Sequence, residues 1–150
     1  MAKTTLYCID PDGNPLKRTT RREYKFVLVG RKDVVKLREA EQEFAQKSAK
    51  MDFKYYQRIA DGQQTCDRYT AEQARELIGG IGATRDDYAK LILARKLAFL
   101  DKKYGEGATA GRWEAIAWST RRELVAGRKA TEAQEKCYRD LQIMPVFTEA

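Results

Sequence analysis

The spacing of hydrophobic and polar positions changes along the chain, and each change marks an element. Lys3 to Asp10, "KTTLYCID", alternates and is rich in β-formers, which predicts a strand. "PDGNP" follows, an Asp-Gly flanked by prolines, and reads as a turn. "REYKFVLVG" predicts the returning strand, with Tyr24, Phe26 and Leu28 on one face and Arg21, Glu23, Lys25, Val27 and Val29 on the other. The basic tract between them, "LKRTTR", is long for a hairpin loop and either extends the strands or forms a flexible tip.

From Asp33 the period lengthens. Val34, Leu37, Phe44, Met51 and Tyr55 recur at helical spacing, with Glu41 and Ser48 as gaps, and predict a long amphipathic helix from an Asp33 N-cap to Ile59. "ADGQQTCDRY" breaks it. Thr70 and Gln73 form a capping box for a short helix ended by Gly79-Gly80, and Thr84 caps "RDDYAKLILARKLAFLDKKYG", the most apolar segment and the expected central core helix. "RWEAIAWSTRRELVA" predicts a fourth helix, with Trp113, Ala117, Thr120 and Leu124 on one face and Gly127 at its end. Thr131 and Gln134 predict a fifth, with Ala133, Cys137, Leu141 and Met144 as its apolar stripe and Pro145 as its stop. The expected fold is α+β but predominantly α: an N-terminal β-hairpin followed by about five helices, one of them long and amphipathic. Residues 1–150 are read as a single domain, with a basic β-hairpin over 1–32 and a helical body over 33–150.

Charge sharpens this picture. Twenty-nine Lys and Arg against twenty-two Asp and Glu give a net +7, and residues 1–32 hold eight basic and three acidic residues, a local +5. Such a concentration is the electrostatic footprint of a nucleic acid or an acidic protein partner. The chain has no histidine, which removes imidazole-based nucleophilic catalysis and Cys/His zinc sites from consideration. Three scattered cysteines, Cys8, Cys66 and Cys137, form no CxxC pair and predict a reducing compartment, the cytoplasm. No apolar run reaches membrane-spanning length, and no membrane partner is expected.

The string TRRE occurs twice, at Thr20–Glu23 and Thr120–Glu123, each followed by GRK, after six residues in the first case and three in the second. The unequal spacing argues against a structural repeat. The first copy lies among Lys17, Arg18, Arg21, Arg22, Lys25, Arg31 and Lys32; the second adds Arg121, Arg122, Arg128 and Lys129, with Trp118 one turn from Arg121 and Arg122 if the segment is helical. These twelve residues are the candidate nucleic-acid-binding set. Dipole compensation at a helix C-terminus accounts for the second group without a ligand.

Other chemistry is weaker. Pro11-Asp12 with Glu23-Tyr24-Lys25 satisfies the loose PD…(D/E)xK string of Mg-dependent nucleases, but Asp12 sits at the best turn signal in the chain. "GGIGATR" and "GEGATAGR" fit neither nucleotide-binding glycine pattern. A helix-turn-helix over "AEQARELIGG…RDDYAKLILARKL" would open its recognition helix with Asp86 and Asp87, the wrong charge for phosphate. The expectation is a non-catalytic nucleic-acid-binding accessory protein without a cofactor or metal. The alternative is an adaptor or inhibitor that docks on an acidic protein surface, and the long helix also permits a homodimer.

Overall fold

The computed structural model describes residues 2–149. They form strands β1 (Thr4–Ile9), β2 (Pro15–Thr20) and β3 (Phe26–Asp33), helices α1 (Val34–Ala60), α2 (Ala71–Leu77) and α3 (Arg85–Tyr104), strand β4 (Ala110–Ser119), helices α4 (Arg122–Ala126) and α5 (Arg128–Glu135), and strands β5 (Tyr138–Pro145) and β6 (Phe147–Thr148). The chain divides into two compact units, a β-rich one made of the residues up to Val35 and from Ala108 on, and a helical one, Lys36–Gly107. With 45% helix and 27% strand in two three-stranded sheets, the fold is not predominantly α, and the expected succession of one hairpin and then helices is overturned.

In the β-rich unit one sheet has the order β2-β1-β6 and the other β4-β3-β5, all pairs antiparallel. The N-terminal hairpin is β1–β2, not Lys3–Asp10 with Arg22–Gly30. The Asp10 carboxylate accepts the N–H groups of Asp12 and Asn14, each at 2.9 Å, and Gly13 takes φ +87°, so the turn closes at once and sets Ile9 opposite Pro15. Of the two alternatives for the basic tract, strand and flexible tip, Leu16–Thr20 takes the strand, as part of β2. Its alternation is hidden because most of β2 is solvent-exposed.

Val27, Leu28 and Val29 are all buried, because β3 is the middle strand of a sheet covered on both faces. Val27 and Val29 meet Cys8, Leu16, Trp113, Trp118 and Met144 on one face. Leu28 meets Val125, Ala130, Ala133, Leu141 and Ile143 on the other, under α4 and α5. The unit is thus three layers: the β1 sheet, the β3 sheet and two short helices.

Two corrections follow from the appetite of β3 for partners on both edges. "RWEAIAWS" is not a helix but β4, with Val27 opposite Trp118 and Arg31 opposite Trp113. A bulge at Ile116, where Leu28 faces Ala117 but Val29 faces Ala115, turns Trp113, Ala115 and Trp118 to the same face despite their uneven spacing. Likewise Thr131 does not start a helix. It lies within α5, its hydroxyl donating to Gly127 O at 3.2 Å, and the residues expected to continue the helix turn at Cys137 (φ +63°) into β5.

Gly30 is pinched between irregularities on both neighbours. Opposite it, β5 carries a bulge with Asp140 in the left-handed region (φ +55°). A Cβ on Gly30 would lie 2.7 Å from Leu141 Cδ2, 2.9 Å from Ile116 Cδ1 and 3.2 Å from Arg139 O. Beyond Gly30 the ladder ends with Asp33 facing Ala110 and the Val34 N–H donating to Thr109 O at 3.0 Å.

In the helical unit the expected caps form. Thr70 with Gln73 and Thr84 with Asp87 each make a reciprocal capping box, and Gly79 and Gly80 close α2 at positive φ. The core gathers Ala49, Phe53, Ile59 and Ala60 of α1 with Ala74, Ile78, Tyr88 and Ala89. Of the expected stripe, Val34 is buried but the later positions turn outward: Phe44 is 50% and Met51 77% exposed. On α3, the expected central helix, only Tyr88, Ala89 and Leu100 are buried, and Phe99 is 61% exposed. Among the described residues no helix is long and apolar enough to cross a membrane.

The cysteines differ in chemistry. Burial, then the nearby Asp10 charge, pushes the Cys8 thiol up to about 11. Cys66 goes the other way: the Tyr55 hydroxyl, 3.6 Å from its sulfur, and then the Arg68 and Tyr69 N–H groups favour its thiolate. Because the thiolate is the reacting species, Cys66 is expected to react with a maleimide at lower pH than Cys8, and Cys8 only after unfolding. Mass-resolved labelling across pH 6–9 checks this; equal rates at the two sites in the native protein contradict it.

Candidate nucleic-acid interface

All twelve basic and aromatic candidates fall in the β-rich unit, but they do not form one set. Strand β3 carries Lys25 just before its start and Arg31 and Lys32 near its end, separated by roughly 3.3 Å per residue. At that far end, Arg31 pairs with Asp140 at 2.7 Å and lies over the Trp113 ring at 4.9 Å. Lys32 donates to Lys136 O at 3.0 Å and sits 4.0 Å from the Tyr138 ring centroid. Arg128 and Lys129, in the first turn of α5, both reach Glu132, at 3.1 and 3.5 Å. The Arg31 guanidinium holds the Asp140 carboxyl below the usual carboxylate range, and that of Arg128 does the same for Glu132. Arg31, Arg128 and Lys129 are thus already answered by acids of their own unit, and Lys32 by a backbone carbonyl and an aromatic ring.

Strand alternation divides the next pair. Lys17 stands opposite Tyr7 and reaches Glu149 at 3.2 Å. Arg18 stands opposite the buried Leu6 and turns the other way, its guanidinium 5.1 Å from the Tyr24 ring centroid. Tyr24 in turn lies 6.4 Å from Trp118, with the ring planes inclined by 46°. Arg18, Tyr24 and Trp118 therefore form a continuous series from the edge of one sheet to the end of the other.

Around this series the two TRRE copies come together. β3 and β4 are antiparallel, and Phe26 faces Ser119. The Lys25 N–H donates to Ser119 O at 3.1 Å, so the end of the Arg21–Lys25 connector meets the start of the Ser119–Arg122 junction. The two copies are not alike in conformation: the first follows a strand, and the second leads from a strand into α4. They do share a device. The Thr20 hydroxyl accepts the Arg22 N–H at 3.1 Å, and the Ser119 hydroxyl accepts the Arg121 N–H at 3.0 Å. Each tight turn fixes the backbone while leaving the guanidinium groups outside.

Arg21, Arg22, Lys25, Arg121 and Arg122 are exposed, and none makes an ion pair among the described residues. Glu23 and Glu123, the nearest acids in sequence, leave the local surplus positive. The candidate interface is therefore Arg18, Arg21, Arg22, Lys25, Arg121 and Arg122 with Tyr24 and Trp118. Tyr24, beside Lys25, is legible in the sequence as an aromatic next to a cation, but its grouping with Trp118, ninety-four positions away, is not revealed by local spacing. The chain was then compared with known proteins. No family model matches it, and neither does any curated protein or solved structure.

The nuclease string does not assemble. Asp12 lies in the turn at one end of the β1–β2 ladder, and Glu23 lies beyond Thr20 at the other, with six paired positions between. At about 3.3 Å per position, the two carboxylates are too far apart to share one metal. Among the described residues there is no group of three or more Asp, Glu, His or Cys able to hold a metal ion.

Proposed function

We propose that the protein is a non-catalytic nucleic-acid-binding accessory protein and that it contacts the phosphate backbone through the composite surface of its two TRRE segments. The observation that carries this reading is the Lys25–Ser119 backbone hydrogen bond of 3.1 Å, which joins the ends of two distant stretches of sequence that together carry five unpaired cations. Cations that already have acidic partners gain little by exchanging them for phosphate; unpaired ones release condensed counterions from the nucleic acid. The contacts run to a uniform backbone, so binding is expected to depend steeply on salt and little on base sequence.

The test is fluorescence anisotropy of labelled oligonucleotides titrated with the full chain at about 50 and 200 mM salt. About five phosphate contacts predict a loss of affinity of roughly 10²- to 10³-fold between the two conditions. Salt-insensitive binding, or none at the lower salt, overturns the reading. It would turn attention to an acidic protein surface as the partner of the same cations.

A further inference from the structure

We infer that the nucleic acid taken up by this surface is an unpaired strand. The inference rests on the proposed function and concerns what the aromatic centre of the site adds to it. A surface that only neutralises phosphates has no use for aromatic side chains, and in a duplex the faces of the bases are stacked on each other and closed to them. Here two aromatic rings sit among the free cations. Tyr24 lies between Glu23 and Lys25 in sequence, two residues after Arg22, and Trp118 is followed at three and four residues by Arg121 and Arg122. Both rings are only partly buried.

Their geometry suits a base better than it suits each other. At 6.4 Å and 46° the rings are neither stacked nor edge-on, so part of each face is left unmatched. Arg18 lies over Tyr24 at 5.1 Å, a planar cation on which a base can also stack. A strand whose phosphates follow the two arginine pairs would bring its bases toward these rings, and any base would serve, because each has a π-face. The alternative, that Tyr24 and Trp118 merely close the core, accounts for their partial burial but not for the Arg18 guanidinium over Tyr24 or for the unpaired cations near both rings in sequence.

The experiment compares labelled oligothymidylate and oligouridylate of about 12 nucleotides with a duplex of the same length, at one fixed salt concentration. The expected result is that the full chain binds the single strands about tenfold or more tightly than the duplex. A preference for one of the two sugars distinguishes DNA from RNA, and either preference supports the inference. In Tyr24→Ala, single-strand affinity is expected to fall about 5- to 100-fold while duplex affinity and salt dependence hold; Tyr24→Phe, which keeps the ring, is expected to bind as the parent does. A reading that leaves the proposed site unaltered uses intrinsic fluorescence: in Trp113→Phe, emission from Trp118 is expected to be quenched by single strands and not by duplex. If duplex binds as well as single strands, or Tyr24→Ala weakens both alike, the inference falls and the proposed function stands. If neither binds at low salt, both fall.

Discussion

Reversing Arg21, Arg22, Arg121 and Arg122 to Glu is expected to weaken oligonucleotide binding by at least 100-fold at about 50 mM salt and to lower the slope of log affinity against log salt by about 3–4. All four side chains are exposed, and the turns that present them are held by the Thr20 and Ser119 hydroxyls, so the substitutions leave the backbone hydrogen bonds in place. The pairwise variants carry the sharper information. If the two segments form one surface, reversing either pair alone costs a comparable share, and the shares roughly add on a logarithmic scale. If one pair carries the whole effect, the other TRRE is solvated surface and the composite interface is wrong. Arg128 and Lys129 serve as the control: both already face Glu132, and neutralising them to Gln is expected to change affinity by less than about threefold.

The second large effect is on stability. Gly30→Ala is expected to destabilise the β-rich unit by about 1–3 kcal/mol, the cost of overpacking a filled interior. Two of the three atoms in the way, Leu141 Cδ2 at 2.7 Å and Ile116 Cδ1 at 2.9 Å, are ends of side chains that can shift at a cost. The third, Arg139 O at 3.2 Å, belongs to the backbone of the adjoining strand and yields less. Both tryptophans of the chain, Trp113 and Trp118, lie in β4 beside β3, so urea unfolding followed by their fluorescence reports on this unit. Adding Leu141→Ala to Gly30→Ala should recover part of the loss, giving a coupling of about 0.5–3 kcal/mol. An unchanged midpoint in Gly30→Ala would show that the neighbours give way freely and that the crowding carries no cost.

The sequence was most readable where structure is decided locally. The capping boxes at Thr70 and Thr84, the glycine stop after α2 and the long run of α1 each need only a few consecutive residues, and they form as their spacing indicates. Legibility failed where a distant partner decides. Trp113–Ser119 has a helical spacing of large side chains because a bulge at Ile116 shifts a two-residue period by one. In β5 the left-handed Asp140 does the same to "YRDLQIMP". On α1 the largest apolar residues mark the wrong face, since Ala45 and Ala49 allow close helix packing while Phe44 and Met51 stay outside. For the candidate site the residue types were visible and their grouping was not. Arg31 and Arg128 resemble Arg21 and Arg121 in sequence, yet only the pairing of β3 with β4 and the positions of Asp140 and Glu132 separate the neutralised cations from the free ones.

The end of the β3–β4 ladder has an evolutionary consequence. The chain leaves the sheet at Asp33 and returns at Ala110, two positions that face each other, so the entire helical unit occupies the place of a hairpin loop. The entropy of closing such a loop grows only slowly with its length. Insertions, deletions or wholesale exchange between Lys36 and Gly107 are therefore expected to leave the strand register, and the Lys25–Ser119 junction, in place. The β-rich unit can hold its surface constant while the helical module diverges at its own pace.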